Sequence, residues 1–245
     1  MYIPAKTAST GILRDVHFLT SHPWCLGFGL SLVFPVSLLL FLLTGPHDFP
    51  GILLFGVPVL AVIALDRYGP CEQRVIAQEA PAWFFDGLLY LLTALQMCNL
   101  LALGYLVSHL GWRSPDECLL SLLHLLFIRL MAGPNACCAA LCPAHELIHR
   151  PHAWQRRLGR LLLISVCYDH FYVSHKRAHH AHLGGEGDPS TAHQGEGFEH
   201  FFRRSVVNQW RLAWQADPRC VRQGLLLELG LIGLLWVLYG PLTVL

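Results

Sequence analysis

Charge is what this sequence has least of. Charged residues make up 13% of its 245 positions, against about 25% in a soluble domain, which argues against an ordinary soluble globule. Hydrophobic residues, at 54%, exclude a disordered chain. The formal net charge is only +1, so no basic field marks a nucleic-acid binder. No CxxC pair occurs among the nine cysteines. Their number is odd, and most lie in apolar runs, where cysteine behaves as a small hydrophobe. That pattern argues against a disulfide scaffold or a zinc ribbon. A cleavable signal peptide is not expected, because the first apolar run begins only at Leu26, behind Lys6 and Arg14. There is no internal repeat, and no histidine follows His200 in a chain that has fifteen.

What is present instead is long runs with little charge. The runs 26–44, 51–65, 82–107, 118–142 and 224–245 are apolar, and about 20 such residues in a helix cross a bilayer. The second is short and sits deep or borrows Phe49 and Pro50. Trp24, Trp83 and Trp112 stand at run ends, where interfacial aromatics belong. Lys6, Arg14, Arg67 and Arg74 lie on one set of connections, and eleven of the seventeen basic residues lie between Arg150 and Arg222. The loop at 46–50 has none. This alternation predicts an all-α, polytopic transmembrane bundle with cytoplasmic histidine-bearing helices. The expected division is a cytoplasmic N-terminus (1–25), four spans (26–143), a cytoplasmic histidine region (144–223) and a fifth span (224–245). Residues 154–173 read as an interfacial helix or a re-entrant piece that brings two histidine clusters together, and 183–197 as a glycine-rich loop. Gly133-Pro134 is expected to kink the fourth span. Asp86 and Arg129 fall inside apolar runs and are functional candidates for that reason. Their depths do not match for a salt bridge.

The first cluster is His145-Glu146-Leu147-Ile148-His149, directly continuing the fourth run. Histidines four apart share a helical face, so His145 and His149 can aim at one metal. The second is His175-Lys176-Arg177-Ala178-His179-His180, followed by His182. His175 and His179 share a face, and His180 lies about 100° round on an α-helix, toward a second metal. His124 reads as a packed or hydrogen-bonded residue rather than a ligand. Two chemistries remain open. HELIH matches the zinc-protease pattern H-E-x-x-H, with Glu146 as general base. That reading needs one further ligand and leaves most of the second cluster unexplained. The alternative is a dinuclear centre, and imidazole-rich sites suit iron, copper, zinc or nickel.

His145–Arg150 (HELIHR) and His175–His180 (HKRAHH), with Gly187-Asp188-Pro189-Ser190-Thr191-Ala192 behind them, resemble the first two histidine boxes of integral-membrane alkane hydroxylases. That family belongs to the larger membrane desaturase and hydroxylase group. The lead-in at 168–174 fits as well, and the H-x-x-x-H-H spacing favours the alkane or xylene monooxygenase branch over fatty acid desaturases. The resemblance covers roughly residues 65–214. It implies a non-haem di-iron oxygenase of the bacterial inner membrane. Such an enzyme hydroxylates a terminal carbon with O2, on two iron ions held here by His145, His149, His175, His179 and His180. Glu146 becomes a bridging or ring-orienting candidate, and His170, His182 and Asp188 become groups that orient the rings.

The resemblance also implies rubredoxin and its NAD(P)H-dependent reductase as electron donors, and an apolar chain drawn from the membrane lipid phase. That substrate would travel a channel lined by the second to fourth spans. Arg156, Arg157, Arg160, Arg203 and Arg204 offer a basic face to an acidic donor, or to anionic lipid. The family's lone histidine in an E-H-Y-G motif and its third H-x-x-H-H box have no counterpart here. The expectation is therefore a truncated chain, with an inactive paralogue, a desaturase and a zinc protease as alternatives.

Overall fold

The computed structural model describes residues 17–71, 73, 80–185 and 187–241. Lys6, Arg14, Arg74 and residues 242–245 of the expected fifth span lie outside them. The described residues form helices and connecting turns, without a strand. Five helices are long and apolar enough to cross a membrane. They are α1 (Pro23–Thr44), α2 (Phe49–Tyr68), α3 (Ala82–Ser108), α4 (Pro115–Ile148) and, after three others, α8 (Pro218–Tyr239). Between α4 and α8 lie α5 (Ala153–Ser165), α6 (residues 170–182) and α7 (Phe198–Ala216).

All five spans fall on the expected runs, but their ends differ for local reasons. Asp217-Pro218 starts α8 six residues before its apolar run. Asp217 Oδ1 accepts from Cys220 N at 3.0 Å, and proline is preorganised for a first turn. Ser114-Pro115 starts α4 in the same way, with Ser114 Oγ accepting from Glu117 N at 3.2 Å. α4 then runs past Cys142 to Ile148, so the first box lies within the helix of the span itself.

Leucines and valines point outward along the bundle, with Leu54, Leu226 and Val237 well exposed. That is the reverse of a soluble fold and suits a lipid solvent. The interior holds an apolar cluster of Phe41, Leu42, Leu106, Val107 and Met131 between α1, α3 and α4. A second cluster joins Ala144, Leu147 and Ile148 of α4 to Leu162 and Leu163 of α5. There the helices cross closely: a Cβ on Gly159 would stand 2.8 Å from Ile148 Cγ2 and 3.1 Å from Ala144 O. At Cys167 the chain takes a left-handed turn (φ 55°) and α6 folds back over α4.

Two widened turns interrupt the helices. Residues Ala136–Leu141 form a π turn between Pro134 and Pro143, with Cys142 N–H donating to Cys137 O. Proline lacks the N–H an α-helix needs there, and an i→i+5 turn re-pairs the backbone. This is the form taken by the irregularity expected at Gly133-Pro134. The second π turn, His175–His179, carries His180 N–H to His175 O.

Candidate metal centre

The last turn of α4 presents His145 and His149, and the π turn of α6 lies against it. Ring nitrogens of His145, His149 and His175 all fall within 4.8 Å of one another. His149 Nε2 and His180 Nε2 each lie 3.0 Å from His175 Nε2. Lys176 Nζ donates to Ile148 O at 3.4 Å, binding the second box to the carbonyl end of the first. Arg150, one residue after the first box, pairs with Asp86 Oδ1 at 2.7 Å. That is the partner of Asp86, where the sequence offered only an ill-matched Arg129.

The π turn changes which rings meet. On an α-helix His175 pairs with His179. Here the wider turn also sets His180 against His175, with ring centroids 4.5 Å apart, while His179 still stacks on His175 at 5.2 Å. His179 Nδ1 donates to Asp188 at 2.8 and 2.9 Å, leaving its Nε2 lone pair free. Asp188, 1% exposed, also accepts from Gly184 N, Ser190 N and Thr191 Oγ1. Burial pushes its carboxyl up, but the bonds from His179, Thr191 and the two amides outweigh that and hold it well below the usual range.

His175 is 5% exposed. Burial, and then the neighbouring His145, His180, His149 and His179, lower its pKa to about 3. Burial lowers His149 too, helped by His145 and His180. Both rings are therefore neutral at pH 7, the form that ligates metals.

The remaining candidates lie elsewhere. Glu146 is exposed, with Oε1 3.6 Å from His145 Nδ1. His182 is exposed. His170 does not reach the cluster; it stacks on Trp210 at 4.0 Å, and neither ring nitrogen has a partner. The five arginines do not form one open basic face. Arg160 grips buried Asp169 through Nε at 3.0 Å and through Nη2. Arg204 holds Glu196 at 2.7–2.8 Å and Thr191 O at 2.8 Å. Arg203 pairs with Glu199, Arg156 donates to backbone carbonyls, and Arg157 is exposed. Sequence reasoning missed Asp169 and Glu228. Glu228 reaches from α8 to accept from Asp169 N at 2.8 Å, at the start of α6. A carboxylate inside an apolar run was the signal available.

A helical bundle that gathers imidazoles at the end of a span has the architecture of a histidine-box membrane protein, and comparison bears this out. Residues 120–237 match the family model described as fatty acid desaturase. The chain is 32% identical to alkane 1-monooxygenase 2 of Pseudomonas aeruginosa over 189 residues, covering 74% of this chain and 48% of that one. It is 31% identical to alkane 1-monooxygenase 1 of Alcanivorax borkumensis over 117 residues, 42% of this chain and 29% of that one. It is 26% identical to alkane 1-monooxygenase of Acinetobacter baylyi over 177 residues, 71% and 41%. The chain belongs to the membrane alkane hydroxylase family. It is an integral membrane protein that spans about half the length, or less, of these relatives. No solved structure matches it.

Proposed function

We propose that this chain serves the hydroxylation of the terminal carbon of alkanes or similar apolar chains with O2. The site would hold two non-haem iron ions through His145, His149, His175, His179 and His180. The observation that carries the reading is the convergence of ring nitrogens from two separate boxes, with His149 and His180 each 3.0 Å from His175 Nε2. The donor set fits: the rings are imidazoles, His149 and His175 are held neutral, and His179 is aimed by a buried carboxylate. Iron, when bound, supplies the activation of oxygen that an unreactive C–H bond requires.

The chain's own residues do the rest. Asp188 keeps the proton of His179 on Nδ1 and so leaves Nε2 as the lone-pair donor. Lys176 and the Arg150–Asp86 pair hold the two boxes in register. Buried His175 and the Phe171 ring stacked on it at 4.7 Å exclude water from the inner side. Glu146, beside His145, is the candidate bridging or ring-orienting carboxylate. The apolar outer face admits a substrate dissolved in lipid. Electrons come from rubredoxin and its reductase, docking where His149 and His180 are exposed. That end faces the cytoplasm of an inner membrane, in the division 1–25, 26–143, 144–223 and 224–245.

Metal analysis of the purified chain tests the reading. About two equivalents of iron are expected. One equivalent of zinc without iron would overturn it in favour of the zinc-protease chemistry that HELIH also allows. Incorporation of isotopic oxygen from O2 into a terminal alcohol, followed by gas chromatography, separates hydroxylation from desaturation.

A further inference from the structure

On the outer surface of α4, ahead of the first histidine box, two thiols meet. Cys137 and Cys142 are both exposed, and their Sγ atoms lie 3.8 Å apart. An α-helix would not bring them together, because residues five apart point about 140° away from each other. The π turn does. Its Cys142 N–H donates to Cys137 O, so the widened ring stacks one residue over the other. Pro134 and Pro143 flank that turn. Cys138, next in the chain to Cys137, packs instead on the apolar cluster of α1, α3 and α4. The three cysteines thus divide into one that serves as a hydrophobe and two that form an accessible pair.

The pair is better suited to holding an ion than to closing on itself. A disulfide needs sulfurs about 2.05 Å apart and Cβ atoms within about 4.5 Å. Side chains one turn apart on a helix have Cβ atoms about 5–6 Å apart. An ion between the sulfurs removes that conflict. With metal–thiolate bonds of about 2.3 Å, the observed separation of 3.8 Å opens an angle of about 110° at the ion. Zinc would want two further donors there. Among the described residues, no third histidine, cysteine or carboxylate joins the two thiols in a close group. Monovalent copper is soft, favours thiolates and is satisfied by fewer donors. The position also admits a charged occupant. Counted from Pro115, Cys137 stands about 33 Å along α4, past the roughly 30 Å of a hydrocarbon core, and the histidines follow directly.

We infer that Cys137 and Cys142 form a binding site for monovalent copper, separate from the histidine centre. Each thiol releases its proton to the medium as the metal binds, and no electron changes hands. The open side of the ion is left for a third donor from solution, such as a small-molecule thiol.

The test titrates the purified full chain with Cu(I) in the absence of oxygen, in competition with bicinchoninate. About one equivalent of copper is expected to be retained, and two thiols should become protected from maleimide. Cys137→Ser and Cys142→Ser should each lower the affinity about tenfold or more, whereas Cys138→Ala leaves it unchanged. Affinity unmoved by either serine substitution, or lowered equally by Cys138→Ala, overturns the site. Zinc displacing the copper at equal concentration overturns the assignment to copper. Because a serine variant can fail to fold, the wild-type chain is also read by X-ray absorption at the copper edge. A sulfur shell supports the pair; a shell of nitrogen alone places the copper at the histidines and overturns it. Iron content, measured on the same samples before copper is added, tests the hydroxylase reading separately.

Discussion

His124 and His175 are both buried, and they are buried in opposite ways. His124, fully enclosed in α4, has both ring nitrogens paired. Its Nε2 accepts from His47 N at 2.8 Å, and its Nδ1 donates to Leu120 O at 2.8 Å. It closes the α1–α2 connection, with Phe41 packed on its face. His175 sits among nitrogens rather than carbonyls, facing His149 and His180 at 3.0 Å. Two lone pairs in mutual contact repel unless a proton or a cation lies between them. Burial alone therefore says little about a histidine's task, and the chemistry of what faces it says much more. His170 is a third case, buried on Trp210 with neither nitrogen paired.

The sharpest test of that contrast exchanges the two residues' fates. His175→Ala should lower bound metal to less than a tenth of wild type and abolish hydroxylation in any active preparation. His124→Leu should leave metal content unchanged while lowering the melting temperature in detergent. A His124 variant that loses metal, or a His175 variant that keeps it, would break the comparison. Next in size is the ring that a carboxylate holds. Asp188→Asn removes the carboxylate that aims His179, and metal affinity should fall about 10- to 100-fold. Isothermal titration of metal-stripped protein would measure it.

The third test concerns the unpaired ring. Burial lowers His170 to about 4 from 6.5 in the unfolded chain. Between those values the unfolded state takes a proton that the folded state refuses. Stability contributed by the neutral ring is therefore full above about pH 6.5 and declines as pH falls toward 4. His170→Phe keeps the stack on Trp210 and should recover about 2–3 kcal/mol by pH 4, read from thermal unfolding against pH. An unaltered acid limb would remove His170 from the account. The smallest effect belongs to the half-exposed ion pair. Asp86→Asn should cost about 1 kcal/mol or less, with metal binding weakened only slightly.

Much of this was legible in the chain. Five apolar runs gave five spanning helices, because in lipid the backbone has few alternatives to a helix. The two histidine boxes were found where spacing and chemistry agree. The pairing within the second box was only half legible. A face drawn with a period of 3.6 joins His175 to His179, as the structure does, but it does not foresee that the π turn brings His180 to His175 as well. Nothing in HKRAH marks that turn. The basic stretch misled for a related reason. Arg160 and Arg204 look like surface charge in sequence, but Asp169 and Glu196 take them inward across 9 and 8 residues. Along the second to fourth spans, where a substrate channel was expected, one cavity lies between Phe49 of α2 and Leu119, Leu120 and Leu123 of α4, and another between α1, α3 and α4. α2 contributes little to the interior, Ile52 being its one buried residue. Its uniformly apolar sequence gave no sign of a peripheral place.

The π turn at His175–His179 amounts to one residue more than an α-helix would use to make the same circuit. Removing a single residue such as Ala178 would restore the ordinary pitch and leave His180 four positions from His175, still on the same helical face. The cluster would survive a chain one residue shorter here. Related chains with a one-residue gap in this stretch can therefore present the same donor atoms from an ordinary helix.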